Sequence, residues 1–130
     1  LYESPASRFL ADFIGDANLV DGDVRRDGGV ATFVAGGVGA TVASPRVDSG
    51  PATLAVRPQR LNVVDAGQGA LQGVCKRVAY LGSRIEYVVA TPWGELLVFD
   101  PNVGQRRARE AAVGIAFDPD AVIVLPRSAS

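Results

Sequence analysis

Residues 84–99 read RIEYVVATPWGELLVF, and this stretch decides the fold. Ile85, Tyr87 and Val89 alternate with Glu86, Val88 and Ala90, the two-residue period that sends successive side chains to opposite sides of a pleated strand. Pro92-Trp93-Gly94 follows as turn chemistry, and the apolar run around Val98 returns as a second strand.

The same grammar extends outward in both directions. Apolar stretches of about five to eight residues alternate with turns marked by glycine or proline. The candidate strands are 18–25, 30–35, 38–43, 52–57, 61–64, 71–80, 84–91, 95–99, 111–117 and 121–125. Gly28-Gly29 and Gly36-Gly37 join the early strands with the positive-φ chemistry of tight hairpins. Near the end, Val113, Ile115 and Phe117 alternate with the small residues Ala112, Gly114 and Ala116. Many short strands at regular spacing predict an all-β fold of short antiparallel strands. An OB-like β-barrel, or a pair of them, is expected because closure removes exposed strand edges.

Upstream of Asn18 the period becomes helical. Ser4 is placed to cap a helix, Pro5 suits its first position, and Gly15 suits its end. Ala6, Phe9, Leu10, Phe13 and Ile14 share one side of this short N-terminal helix. A helix this short is marginal alone in water, so Phe9, Leu10, Phe13 and Ile14 are interface candidates. The chain has no methionine, and this helix runs directly into strand-like sequence, so the chain is expected to begin partway through a longer protein. The expected organisation is 1–16 as the tail of an upstream domain, 17–127 as the OB-like domain and 128–130 as a C-terminal tail.

Composition narrows the chemistry. The 130 residues are 48% hydrophobic and 21% charged, enough for one main core. No apolar run approaches the roughly 20 residues of a membrane-spanning helix. The chain has no histidine, which excludes histidine general bases, Ser-His-Asp triads and histidine metal sites. Its one lysine, Lys76, lies between Cys75 and Arg77 rather than in a phosphate-binding Gly-Lys-Ser/Thr run. Gly37-Val38-Gly39 and Gly67-Gln68-Gly69 start like dinucleotide fingerprints, yet Val42 and Gln72 occupy the third glycine position. Asp21, Asp23 and Asp27 suggest a calcium loop, but Thr32 stands where its bidentate glutamate belongs. No metal site is expected, and Cys75 reads as a buried structural thiol.

Two features suit contacts with a partner. PNVGQRRARE at 101–110 lacks apolar alternation and reads as a loop or short helix carrying Arg106, Arg107 and Arg109, a solvated connection or an anion contact. Trp93, at its Pro-Trp-Gly turn, is either an exposed interface anchor or a lid over a barrel end. Nucleic acid is not an expected partner, because the formal net charge is −1 and no strand alternates aromatic with basic residues.

The opening LYESPASRFLADFIGDANLV resembles the end of the ATP-binding domain, and its junction to the next, in the ATPase subunits of bacterial ABC importers. LAVRPQRL at 54–61, VAYLGS at 78–83 and VGIAFDPDAVIVL at 113–125 resemble, in order, the transport-associated OB (TOBE) domain that follows, in importers of polyamine or iron type. The resemblance implies a non-catalytic regulatory and dimerisation domain, a hinge that keeps two subunits together while their ATP sites open. The implied partners are a second copy, the upstream ATP-binding domain and, through the parent, the permease subunits, on the cytoplasmic side of the inner membrane. ATP and Mg²⁺ would belong to the upstream domain, with no cofactor here and no enzyme activity, because Walker and signature motifs are absent from the sequence. Some relatives sense a solute instead. That alternative implies a small oxyanion such as sulfate or molybdate, with Arg57, Arg60 and Arg84 as the anion-facing candidates.

Overall fold

The computed structural model describes residues 17–127. The predicted helix, with Phe9, Leu10, Phe13 and Ile14, lies outside the described residues. Within them are ten strands: β1 (Asn18–Asp27), β2 (Val30–Ala35), β3 (Val38–Val42), β4 (Gly50–Val56), β5 (Asn62–Asp65), β6 (Leu71–Leu81), β7 (Arg84–Thr91), β8 (Gly94–Asp100), β9 (Ala112–Ala116) and β10 (Ile123–Pro126). Each expected strand is present within a few residues. A 3-10 turn at Pro58–Arg60 adds to the expected pattern, with Pro58 pre-set for its first position.

The strands form two five-stranded antiparallel sheets, ordered β10-β4-β1-β2-β3 and β5-β9-β6-β7-β8. Alternation explains how each strand sits. Along β1, Asn18, Val20, Gly22 and Val24 are buried while Leu19, Asp21, Asp23 and Arg25 are exposed. Both sheets curl toward barrels. In the first, Ala43 N–H donates to the Pro119 carbonyl and Arg46 N–H to the Val124 carbonyl, each at 2.9 Å, joining the segment after β3 to β10 and its lead-in. In the second, β5 contacts β8, and the 3-10 turn packs on β8 as well. The architecture is all-β and OB-like.

One continuous core serves both sheets, running from Val20, Phe33 and Leu54 to Leu71, Tyr87 and Ile115. Each fully buried side chain of this size contributes roughly 1.5–3 kcal/mol, so this shared interior is what binds the sheets together.

Two junctions set their alignment. Asn18 Nδ2 donates to the Leu97 carbonyl and Leu97 N–H donates to Asn18 Oδ1, both at 2.8 Å, so one side-chain amide satisfies two backbone groups of edge strand β8. At the other junction, the β2–β3 hairpin abuts the β7–β8 hairpin. Gly36 there has φ 56°, and a Cβ on it would overlap the Pro92 carbonyl, so only glycine fits.

Candidate functional site

The three arginines proposed for anion contact stand in different settings. Arg84, at the start of β7, donates through Nε and Nη2 to Glu86 Oε2 at 3.0 and 2.5 Å, and its guanidinium lies 4.0 Å from the centre of the Phe99 ring. A carboxylate already occupies its donors. Arg57 is half-buried in the extended conformation that a residue before proline favours, and Arg60 is exposed at the end of the 3-10 turn. Gly82, in the YLGS segment, has φ 62° in the β6–β7 turn, a conformation that favours glycine.

Trp93 belongs to the core. It is 8% exposed, its indole N–H donates to the Val38 carbonyl at 2.9 Å, and its ring meets Phe33 edge-on at 5.3 Å and Phe117 at 6.1 Å. Of its two expected roles, the structure gives the lid. The interface role is corrected on that ground, since the indole ties the β7–β8 hairpin to the first sheet and offers an outside partner almost no surface.

The arginine-rich segment 101–110 is a loop, largely exposed. Asp100 Oδ1 accepts the Asn102 N–H at 2.9 Å and starts it with a side-chain turn. Its one inward arginine is Arg107, at 17% side-chain exposure. The Arg107 N–H donates to the Tyr87 hydroxyl at 3.1 Å, and its Nη1 reaches Asp65 Oδ1 at 2.6 Å. Arg106 instead lies 4.8 Å over the exposed Tyr80 ring. Burial pushes the Cys75 thiol above its ordinary range, with nearby Arg107 pulling the other way, so Cys75 is a neutral core thiol.

Where β6 passes this loop the register with β7 shifts between Cys75 and Arg77. In a regular pleat the adjacent Lys76 and Arg77 would point to opposite faces. The bulge removes that alternation, and both line one groove of about 450 Å³ together with Arg109, Val78, Ala79, Glu86, Val88 and Leu97. The loop is anchored at the same spot. Cys75 N–H donates to the Ala111 carbonyl at 3.0 Å, and Glu110 N–H donates to the Cys75 carbonyl at 2.7 Å. Glu110 itself has φ 69°, an uncommon conformation for a residue with a Cβ. Sequence reading names Lys76 and Arg109 but not this convergence. An interruption of alternation at Cys75-Lys76-Arg77 is the only local trace of it.

A model of the TOBE domain matches residues 54–125. Among similar proteins, the Fe(3+) ions import ATP-binding protein FbpC 1 of Rhizobium meliloti is 42% identical over 118 residues, covering 90% of this chain and 33% of its own length. The spermidine/putrescine import ATP-binding protein PotA of Rubrobacter xylanophilus is 36% identical, covering 96% of this chain and 36% of its own. The chain thus spans about a third of the length of the curated relatives it matches. Among solved structures, the cytoplasmic molybdate-binding protein ModG superposes with a TM-score of 0.67 over 88% of this chain and 99% of its own, at 16% identity, a likeness of fold. With a matching model across more than half of its length, the chain belongs to the TOBE domain family.

Proposed function

We propose that this chain is the non-catalytic regulatory and dimerisation domain of the ATP-binding subunit of an importer for iron or a polyamine. The observation that carries the reading is the 42% identity to an iron-import ATP-binding protein across 90% of the chain. The physical logic supports it. Two curled sheets around one core form a rigid body, and contacts between such bodies hold two subunits at high effective concentration while their ATP sites open and close. ATP and Mg²⁺ are assigned to the upstream ATP-binding domain, hydrolysis to that domain, and the setting to the cytoplasmic side of the inner membrane beside the permease subunits. Phe9, Leu10, Phe13 and Ile14 are the residues proposed to face the upstream domain or a second copy.

Analytical ultracentrifugation across a wide concentration range tests the pairing. A reversible species of twice the chain mass is expected, and a strict monomer at millimolar concentration would sink the dimerisation role. The alternative is a solute sensor for a small oxyanion, built on Arg57, Arg60 and Arg84. The Glu86 carboxylate already on Arg84 weighs against it. Calorimetric titration with sulfate and molybdate decides, since silence with both removes the sensor.

A further inference from the structure

The groove beside the β6 bulge combines features that a plain protein surface does not need. Three cations line it, Lys76, Arg77 and Arg109, and the side chains of Arg77 and Arg109 have no hydrogen bond or ion pair among the described residues. Its one lining carboxylate, Glu86, is held by Arg84, and Lys76 shares only a 3.5 Å contact with the exposed Glu110. Counting those two neighbours, four cations (Lys76, Arg77, Arg84, Arg109) face two carboxylates (Glu86, Glu110) in a chain of net charge −1. The floor is a different chemistry. Val78, Ala79, Val88 and Leu97 supply aliphatic surface and no side-chain hydrogen-bond donor. Two departures from regular backbone, the bulge and the positive φ of Glu110, adjoin these cations.

We propose that this groove binds a small organic anion, a molecule with one carboxylate or phosphate group and an aliphatic body. The anionic group lies against Arg77 and Arg109, which fork onto such oxygens, and the body covers Val88 and Leu97. A bare inorganic oxyanion is a poor match, because an aliphatic floor would strip its water without replacing the hydrogen bonds. A volume of about 450 Å³ lies within the ordinary range for small-ligand sites. The site shares none of the three arginines of the sensor reading as a lining residue, so it stands or falls separately from the proposed function.

The test is a nuclear magnetic resonance titration of the chain with octanoate as probe, beside sulfate and a neutral octyl glycoside below its micelle concentration. Saturable shifts centred on the Ala79, Val88 and Leu97 amides are expected with octanoate, and much weaker ones with the two comparators. Arg77→Glu and Arg109→Glu should each weaken octanoate by roughly tenfold, the loss of one charge-assisted contact. The milder Arg77→Gln and Arg109→Gln serve if a charge reversal disturbs the fold. Sulfate binding as tightly as octanoate would reduce the groove to a general anion patch and overturn the proposal. So would indifference to the arginine variants, shifts elsewhere, or an acidic peptide that displaces octanoate and binds more tightly, which would reassign the groove to a protein partner.

Discussion

The two sheets share one core but differ in how their strands meet. In the first, β1 pairs with β2 and β4, β2 with β3, and β10 with β4, all without a register shift. In the second, β6 bulges where it crosses β7, a loop of ten residues folds back against the bulge, and Glu110 takes a left-handed conformation. The strands of each sheet carry the same net charge, −1, so the difference lies in how the charges are placed. Asp21, Asp23 and Arg25 mix both signs along the exposed side of β1, whereas Lys76, Arg77 and Arg109 gather cations alone at the bulge. A regular pleat can only alternate its side chains, so the first sheet is suited to be a scaffold. Adjacent residues converge only where alternation is broken, and that happens in the second sheet.

The largest expected effect comes from breaking the bond between the two. Trp93→Ala removes a ring that touches Phe33 and Phe117 and leaves the Val38 carbonyl without its donor. It should cost about 3–5 kcal/mol in urea unfolding, and the two sheets should then melt at separable concentrations. A single transition with less than about 1 kcal/mol lost would show that Trp93 does not couple the sheets.

A smaller effect tests the hairpin contact. Gly36 and Gly37 both have positive φ, but a Cβ would overlap Pro92 only at Gly36, with open space at Gly37. Gly37→Ala should cost about 1–2 kcal/mol, the left-handed penalty alone. Gly36→Ala should cost about 1–3 kcal/mol beyond that, for the overlap. Equal losses in thermal unfolding would mean that the hairpins do not press on each other.

The smallest effect concerns alkaline pH and separates the sheets by titration. Burial raises both the Cys75 thiol and the Tyr87 hydroxyl; for Tyr87 the Arg107 N–H opposes the shift and the Asp100 carboxylate adds to it. Both groups lie in the second sheet. A folded pKa above the unfolded one means that the folded state holds its proton more tightly. The stability from each group is therefore complete below its unfolded value and declines as the pH rises through the folded one. The decline should begin above the ordinary thiol value of 9.0 and deepen above the ordinary phenol value of 10.0. Hydrogen exchange at high pH should open β6 and β7 before β1 and β2. The reverse order would contradict the assignment.

The strands were legible because alternation is a local property: Ile85, Tyr87 and Val89 declare their face without knowing what covers it. What lies across the chain was not. The Pro-Trp-Gly turn is readable, but the burial of Trp93 depends on Phe33, Val38 and Phe117, which arrive from distant parts of the chain. Likewise three arginines in 101–110 look equivalent in sequence. Only Arg107 turns inward, because Tyr87 accepts its N–H and Asp65 accepts its guanidinium. The groove at Lys76, Arg77 and Arg109 was the least legible of all, since a bulge is an agreement between two strands and the broken alternation at Cys75-Lys76-Arg77 is its one local trace.

The return of β10 to the first sheet has a consequence for the order of folding. β4 ends at Val56 and its partner β10 starts at Ile123, so the whole second sheet is threaded between two neighbours of the first. Closing so long a loop is entropically costly and slow. On a ribosome, β1 to β4 can pair as soon as they emerge, but one flank of β4 must wait until the second sheet has been made. The second sheet must itself wait for β9 to pair with β5 and β6, but all of its strands emerge before β10, so it is the unit able to complete itself first, and the regular scaffold is finished last.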